Sequence, residues 1–160
     1  MEKLNLPIPE VPIKVVNGKK YILDIIRKKN IVLTPEEWVR QSLLHFLIIH
    51  KKYPKSLVKI ESGHIYNTLQ KRSDILIYDR SLNPLVLIEC KAPEVKIDQK
   101  VLDQVLIYNQ KLNCEILVLT NGIMHFILSN ENSQWKNIDY FPDFDEVIQR
   151  REEKKNRGRF

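Results

Sequence analysis

Pro84-Leu85-Val86-Leu87-Ile88-Glu89-Cys90-Lys91-Ala92-Pro93 reads as a buried strand that ends in charge. The short run Leu85-Val86-Leu87-Ile88 is rich in aliphatic and β-branched residues, as a strand is. A strand alternates its faces with period two, so Glu89 and Lys91 point one way and Ile88 and Cys90 the other. An acid and an amine at the end of an apolar strand are costly to bury unless they face a site or each other. Upstream, Arg72-Ser73-Asp74-Ile75-Leu76-Ile77-Tyr78 places Asp74 at the head of a second short β-type run, 15 residues before Glu89. The Asn83-Pro84 step supplies a turn between the two runs. If the strands pair, Asp74 and Glu89 converge.

The rest of the chain frames this pair. The first dozen residues carry three prolines and read as an extended arm over 1–14. Val15 to Leu23 has the form of a hairpin with Asn17-Gly18 at its turn. Ile31-Val32-Leu33 follows the basic cluster Arg27-Lys28-Lys29 as another β-type run. Thr34 is a good helix N-cap, Pro35 suits the first turn, and Glu36 and Glu37 sit where the helix dipole favours negative charge. Glu37 stands three residues after Thr34, the spacing of a capping box. That helix is expected to run to about Lys52, before Tyr53-Pro54. Strands are expected at Leu57–Glu61, Asp74–Tyr78, Leu85–Lys91, Ile116–Thr120 and Met124–Leu128, the last two joined by Asn121-Gly122. Asp98 to Leu112 forms a helix with Val101, Val105 and Tyr108 on one stripe. Phe144 to about Lys155 forms a final helix. This order predicts an α/β (α+β) domain over 1–160, with a mixed sheet and helices packed on it.

The pairing of acids carries the chemistry. Two adjacent carboxylates repel, and a cation is the usual remedy. Mg²⁺ takes one or two carboxylates, keeps several waters and binds substrate phosphates. Such an ion activates a water and stabilises charge building on phosphorus. Lys91 would orient or help deprotonate that water, or neutralise the developing charge. The bland alternative is a surface salt bridge between Glu89 and Lys91.

Asp74 with Glu89-Cys90-Lys91 resembles the PD-(D/E)XK nuclease motif. More narrowly, residues 34–41 (Thr-Pro-Glu-Glu-Trp-Val-Arg-Gln), 71–75 (Lys-Arg-Ser-Asp-Ile), 89–93 (Glu-Cys-Lys-Ala-Pro) and 120–122 (Thr-Asn-Gly) resemble the N-terminal nuclease domain of type I restriction enzyme R subunits. The similarity runs from about Val15 to Asp143. It implies a restriction-endonuclease-like mixed sheet flanked by helices and a Mg²⁺-dependent DNA endonuclease, with Mn²⁺ able to substitute. It also implies further site residues. Gln104 and Tyr108 match the QxxxY motif of this group and share a helix face at i and i+4. A glutamate of the first helix often completes the metal shell. The resemblance favours Glu36 there, with Glu37 as the alternative. The implied catalytic residues are Asp74, Glu89, Lys91, Gln104 and Tyr108, and the implied metal ligands are Glu36, Asp74 and Glu89.

Other features bound the reading. The net charge is +6, and residues 150–160 hold six basic and two acidic side chains of it. A basic tail of this kind favours polyanions through counterion release, or is simply solvated. No apolar run approaches the roughly 18 residues of a membrane helix. The N-terminal decapeptide lacks the pattern of a secretory signal, which leads to an expected cytoplasmic location. Cys90 and Cys114 sit in apolar runs and read as buried thiols. His45, His50, His64 and His125 form no ligand spacing, and Trp38 reads as packing. The 160 residues contain no GxxxxGK[ST] phosphate loop, so no ATP-driven motor is expected within them. Two rival functions stay open: a DNA-binding or docking module of a larger restriction complex without cleavage of its own, and a nuclease acting on RNA or branched DNA.

Overall fold

The computed structural model describes residues 2–60 and 74–157. Lys71, Arg72 and Ser73 of the motif quoted above lie outside the described residues, as do Glu61, His64 and residues 158–160. Three strands form a first sheet: β1 (Ile13–Val16), β2 (Lys19–Asp24) and β3 (Lys29–Val32), all antiparallel. Helix α1 (Pro35–Ile49) follows, then a short 3-10 turn at Lys55–Leu57. A second sheet has the order β4-β5-β6-β7-β8-β9. Its strands are β4 (Val58–Ile60), β5 (Ile75–Tyr78), β6 (Pro84–Cys90), β7 (Ile116–Thr120), β8 (His125–Glu131) and β9 (Gln134–Ile138). Among the described residues only the β6–β7 pair is parallel, and α2 (Gln99–Leu112) makes the crossover that a parallel pair needs. Helix α3 (Phe144–Arg157) closes the described chain. The fold is mixed α/β, as expected.

The aliphatic strands serve two layers at once. Ile75, Ile77, Val86, Ile88, Ile116 and Val118 face a core shared with Val39, Leu43 and Leu47 of α1 and with Phe144 and Val147 of α3. Leu76, Leu87, Leu117, Leu119 and Leu128 face the other way, onto Val105 and Tyr108 of α2. Burial on both faces is why β5, β6 and β7 read as unbroken apolar runs rather than alternating ones.

Four expectations are refined. The expected mixed sheet is the six-stranded one, and the N-terminal strands add a sheet of their own, which reaches the main core through Ile22. The first helix ends at Ile49, because Lys52 takes a left-handed φ of 59° and turns the chain before Pro54 is reached. The head of the extended arm is docked, with Leu4 buried, the Asn5 amide donating to the Gly122 carbonyl at 2.7 Å and Trp38 Nε1 donating to the Glu2 carbonyl, while Ile13 and Lys14 already belong to β1. The basic tail, where it is described, is not simply solvated. It continues α3, and Arg151 is buried, donating to Asp79 Oδ2 at 2.9 Å and to the Asn113 carbonyl at 3.4 Å. Cys90 and Cys114 are free and buried, as read from the sequence, and burial pushes the Cys114 thiol up to about 12.

Candidate functional site

The site forms where the outer end of β5 meets the end of β6. Ile75 pairs with Ile88, and just beyond that pair Asp74 bonds on both sides of Glu89. Its amide donates to the Ile88 carbonyl at 3.1 Å, and its Oδ2 accepts the Cys90 amide at 2.6 Å. Glu89 leaves the apolar strand half-buried, and Lys91 Nζ donates to its Oε1 at 2.5 Å. The lysine is anchored in turn, since its amide donates to the Thr120 carbonyl of β7 at 2.8 Å.

Electrostatics mark Glu89 and Lys91. Burial pushes the Glu89 carboxyl above its ordinary value, and the nearby Asp74 charge adds to that push against the opposing pull of Lys91. Burial alone would lower Lys91, but the hydrogen bond and charge of Glu89 outweigh it and hold the ammonium above its ordinary range. The half-buried Glu89 is therefore not fully compensated by the lysine.

Helix α1 brings a residue that sequence reasoning missed. Thr34 Oγ1 accepts the Glu37 amide at 3.1 Å, the expected N-cap. The reciprocal arm of a capping box is not made, because the Thr34 amide donates to the Val32 carbonyl while the Glu37 carboxylate turns to Arg40 and Gln41. Arg40 is the hub. Its Nη2 donates to Glu36 Oε1 at 2.9 Å and to Asp74 Oδ1 at 2.7 Å, and its Nη1 donates to Glu37 Oε2. Burial works against the charged guanidinium, yet Asp74 and Glu37 more than offset it and raise Arg40 well above its ordinary value. Both helix glutamates thus reach the Asp74 region through Arg40. Glu36 is the more open, its side chain 42% exposed against 11% for Glu37. Among the described residues, no three His, Cys, Asp or Glu side chains converge where one metal ion could touch them all. The donors that lie together are Asp74 and Glu89.

Gln104 and Tyr108 lie half-buried on α2, and Tyr108 packs into the core behind Leu87 and Leu119. Asn121, read from the sequence only as part of a turn, also positions the site's surroundings. Its Nδ2 donates to the carbonyls of Pro93 at 3.3 Å and Val95 at 3.0 Å, which fixes the chain just after Lys91. Its Oδ1 accepts the amides of Ile123 and Met124, at 3.0 and 2.8 Å. His125 bridges Thr120 Oγ1 (2.7 Å) and the Asn5 carbonyl (3.2 Å), and burial lowers its ring below the ordinary value. It is a structural histidine, as expected.

Among curated proteins there is no match. Among solved structures, the chain is similar to a fragment described as a putative HsdR subunit of a type I restriction enzyme from Vibrio vulnificus YJ016. The identity is 26% and the TM-score 0.40, over 58% of this chain and 18% of that one. The chain therefore spans less than a fifth of that solved fragment. A family model described as the type I restriction enzyme R protein N terminus matches residues 35–142, which include α1, β5, β6, α2 and β7 and so every element of the site. On that match, the chain belongs to the family of type I restriction enzyme R protein N termini.

Proposed function

We propose that this chain is a Mg²⁺-dependent DNA endonuclease module of the PD-(D/E)XK kind, acting in the cytoplasm alongside other subunits of a restriction complex. The observation that carries the reading is Asp74 bonded on either side of Glu89, with Lys91 Nζ 2.5 Å from Glu89 Oε1. The donor set fits a hard divalent ion: two carboxylates close enough to disfavour each other's charge, with Glu89 pushed up by burial and then by Asp74. Asp74 and Glu89 would hold it, and Glu36 or Glu37 would join only on leaving Arg40. When bound, the ion supplies an activated water and a positive charge beside the scissile phosphate.

The chain's own groups do the rest. Lys91 holds a positive charge against Glu89 and faces a phosphate oxygen as negative charge builds there. Arg40 keeps Asp74 in one orientation, and the Cys90 amide fixes its other oxygen. The Thr120–Asn121 segment pins the backbone at Lys91 and just after it, so the ammonium is positioned before substrate arrives.

The test is cleavage and binding of plasmid DNA by wild type and Lys91→Ala, with Mg²⁺, with Mn²⁺ and with chelator. Losing one electrostatic stabiliser should cost about 10²–10³ in rate. DNA binding should weaken far less, because phosphate contacts are spread over the surface. Equal cleavage by the two proteins would refute the mechanism. A second reading, a docking module without cleavage, is favoured by one feature: both oxygens of Asp74 are already engaged, by Arg40 and by the Cys90 amide. Under it, wild type would cut nothing with either metal.

A further inference from the structure

We propose that the β1–β2 hairpin and the turn between β2 and β3 form the surface that seats the backbone of duplex DNA, an inference that rests on the nuclease reading. Residues 13–33 carry six basic side chains and one acidic, a net +5 in a chain of net +6. Lys14, Lys19, Lys20, Lys28 and Lys29 are all exposed, and none makes an ion pair among the described residues. The one acid of the segment is already committed. Asp24 is fully buried, accepting the amides of Ile26 and Arg27 and the Arg27 Nε at 2.6 Å. Among the described residues, five lysines therefore stand uncompensated on one small sheet.

The shape suits a polyanion with grooves. Asn17 and Gly18 both take left-handed φ, 50° and 75°, the turn whose twist matches that of a two-residue hairpin. Residues 12–20 are exposed on both faces of the pleat, so the end of the ribbon stands clear of the body. A two-stranded ribbon is one of the elements that the major groove of B-form DNA admits. From Tyr21, the last residue of β2 paired to β3, to Gly18 the two-stranded end of the hairpin extends about 10 Å, at about 3.3 Å per residue. Its base is tied to the candidate site: Arg27 Nη2 lies 3.6 Å from Glu37 Oε1, and Glu37 shares Arg40 with Asp74.

The described part of the tail does not compete for this role. Arg150 and Arg151 are folded into bonds with Glu146, Ser129, Asp79 and Glu115. Of its remaining described charges, Lys154 pairs with Glu115, and exposed Glu152 and Glu153 balance exposed Lys155 and Arg157.

The test compares a Lys14→Gln, Lys19→Gln, Lys20→Gln variant with a Lys155→Gln, Arg157→Gln control. Anisotropy of a labelled 30-base-pair DNA duplex is followed against salt in chelator, so that no cleavage intervenes. Unfolding temperatures should match wild type, because the substituted lysines are exposed and form no ion pair among the described residues. The log–log salt slope of the triple variant should fall by up to about 2.7, at about 0.9 for each phosphate no longer neutralised, and that of the control should not move. A triple variant with an unchanged slope, or a control with the same fall, overturns the arm. If wild type cleaves plasmid while the triple variant binds unchanged, the arm alone is refuted. If wild type binds no duplex, or an RNA duplex displaces the DNA at lower concentration than unlabelled DNA does, the reading beneath it fails.

Discussion

Replacing Arg40 by methionine keeps most of the side-chain length and removes its charge from a place where three acids meet. The guanidinium is 11% exposed, Asp74 17% and Glu37 11%, so two of the three pairs are substantially shielded from water. Breaking a buried pair by removing one partner costs about 3–5 kcal/mol, because the other charge stays behind. Two features move this protein toward the low end. Glu37 keeps Gln41 Nε2 at 3.0 Å and Arg27 at 3.6 Å, and Asp74 keeps the Cys90 amide. Arg40 Nε also has no partner among the described residues, so its removal relieves a buried unsatisfied donor worth about 1 kcal/mol. The exposed Glu36 contact adds at most about 1 kcal/mol. The expected loss is about 3 kcal/mol, or a fall in Tm of roughly 6–12 °C for a chain of this size. Denaturant unfolding at neutral pH measures it. An Arg40→Met, Asp74→Asn double variant removes the stranded acid and should regain part of the loss, with a coupling of about 0.5–3 kcal/mol. A single-variant loss below about 1 kcal/mol, or strict additivity in the cycle, would refute the hub role of Arg40.

Two further outcomes test the fold around the site. Burial alone would raise the Asp79 carboxyl, but the Asn83 amide and Arg151 outweigh it and hold it below its ordinary 3.8. The stability its charge contributes is full above about pH 4 and is lost as pH falls through the lower folded value. Asp79→Asn should therefore cost about 3 kcal/mol at pH 7 and close on wild type in acid; parallel melting curves from pH 7 to pH 2 would rule this out. At Gly122, φ is +83° and an added Cβ would lie 2.8 Å from Leu4 Cδ2, whereas Gly18, at +75°, faces open space. Gly122→Ala should lose more stability than Gly18→Ala, which carries only the backbone cost of about 1–2 kcal/mol, and Leu4→Ala should recover part of the difference; equal losses would show that the docked N-terminal segment yields freely.

The parts of the fold legible in the sequence were those with a local physical signal. Asp98 caps α2 through the Val101 amide, and β7 occupies the same five residues that its apolar run marked. The gathering of Asp74, Glu89 and Lys91 followed from period two and one turn. Strand β9 was not legible: Gln134-Trp135-Lys136-Asn137-Ile138 is mostly polar and exposed, and only its pairing to β8 makes it a strand. Its turn uses Asn132 and Ser133, both left-handed, in place of the Asn-Gly signal that revealed the first hairpin. Arg40 was hidden for a different reason. At three and four residues from Glu37 and Glu36, it reads along the sequence as an ordinary surface partner on its own helix. Its bond to Asp74 spans 34 residues of chain and exists only once α1 lies against the sheet.

Arg151 carries a consequence for the order in which the molecule is made. It leaves the ribosome after the three segments it ties together: the β5–β6 loop at Asp79, the end of α2 at Asn113 and the start of β7 at Glu115. Until it emerges, a nascent chain that has already collapsed around β5, β6 and β7 holds Asp79 and Glu115 without this counterion, at positions only 6% exposed in the finished protein. Release of a chain stopped at residue 150 would leave both acids in that state permanently. Synthesis runs at about 5–20 residues per second. The late arrival of one arginine therefore leaves the carboxylates of Asp79 and Glu115 to be met by a helix translated after both of them.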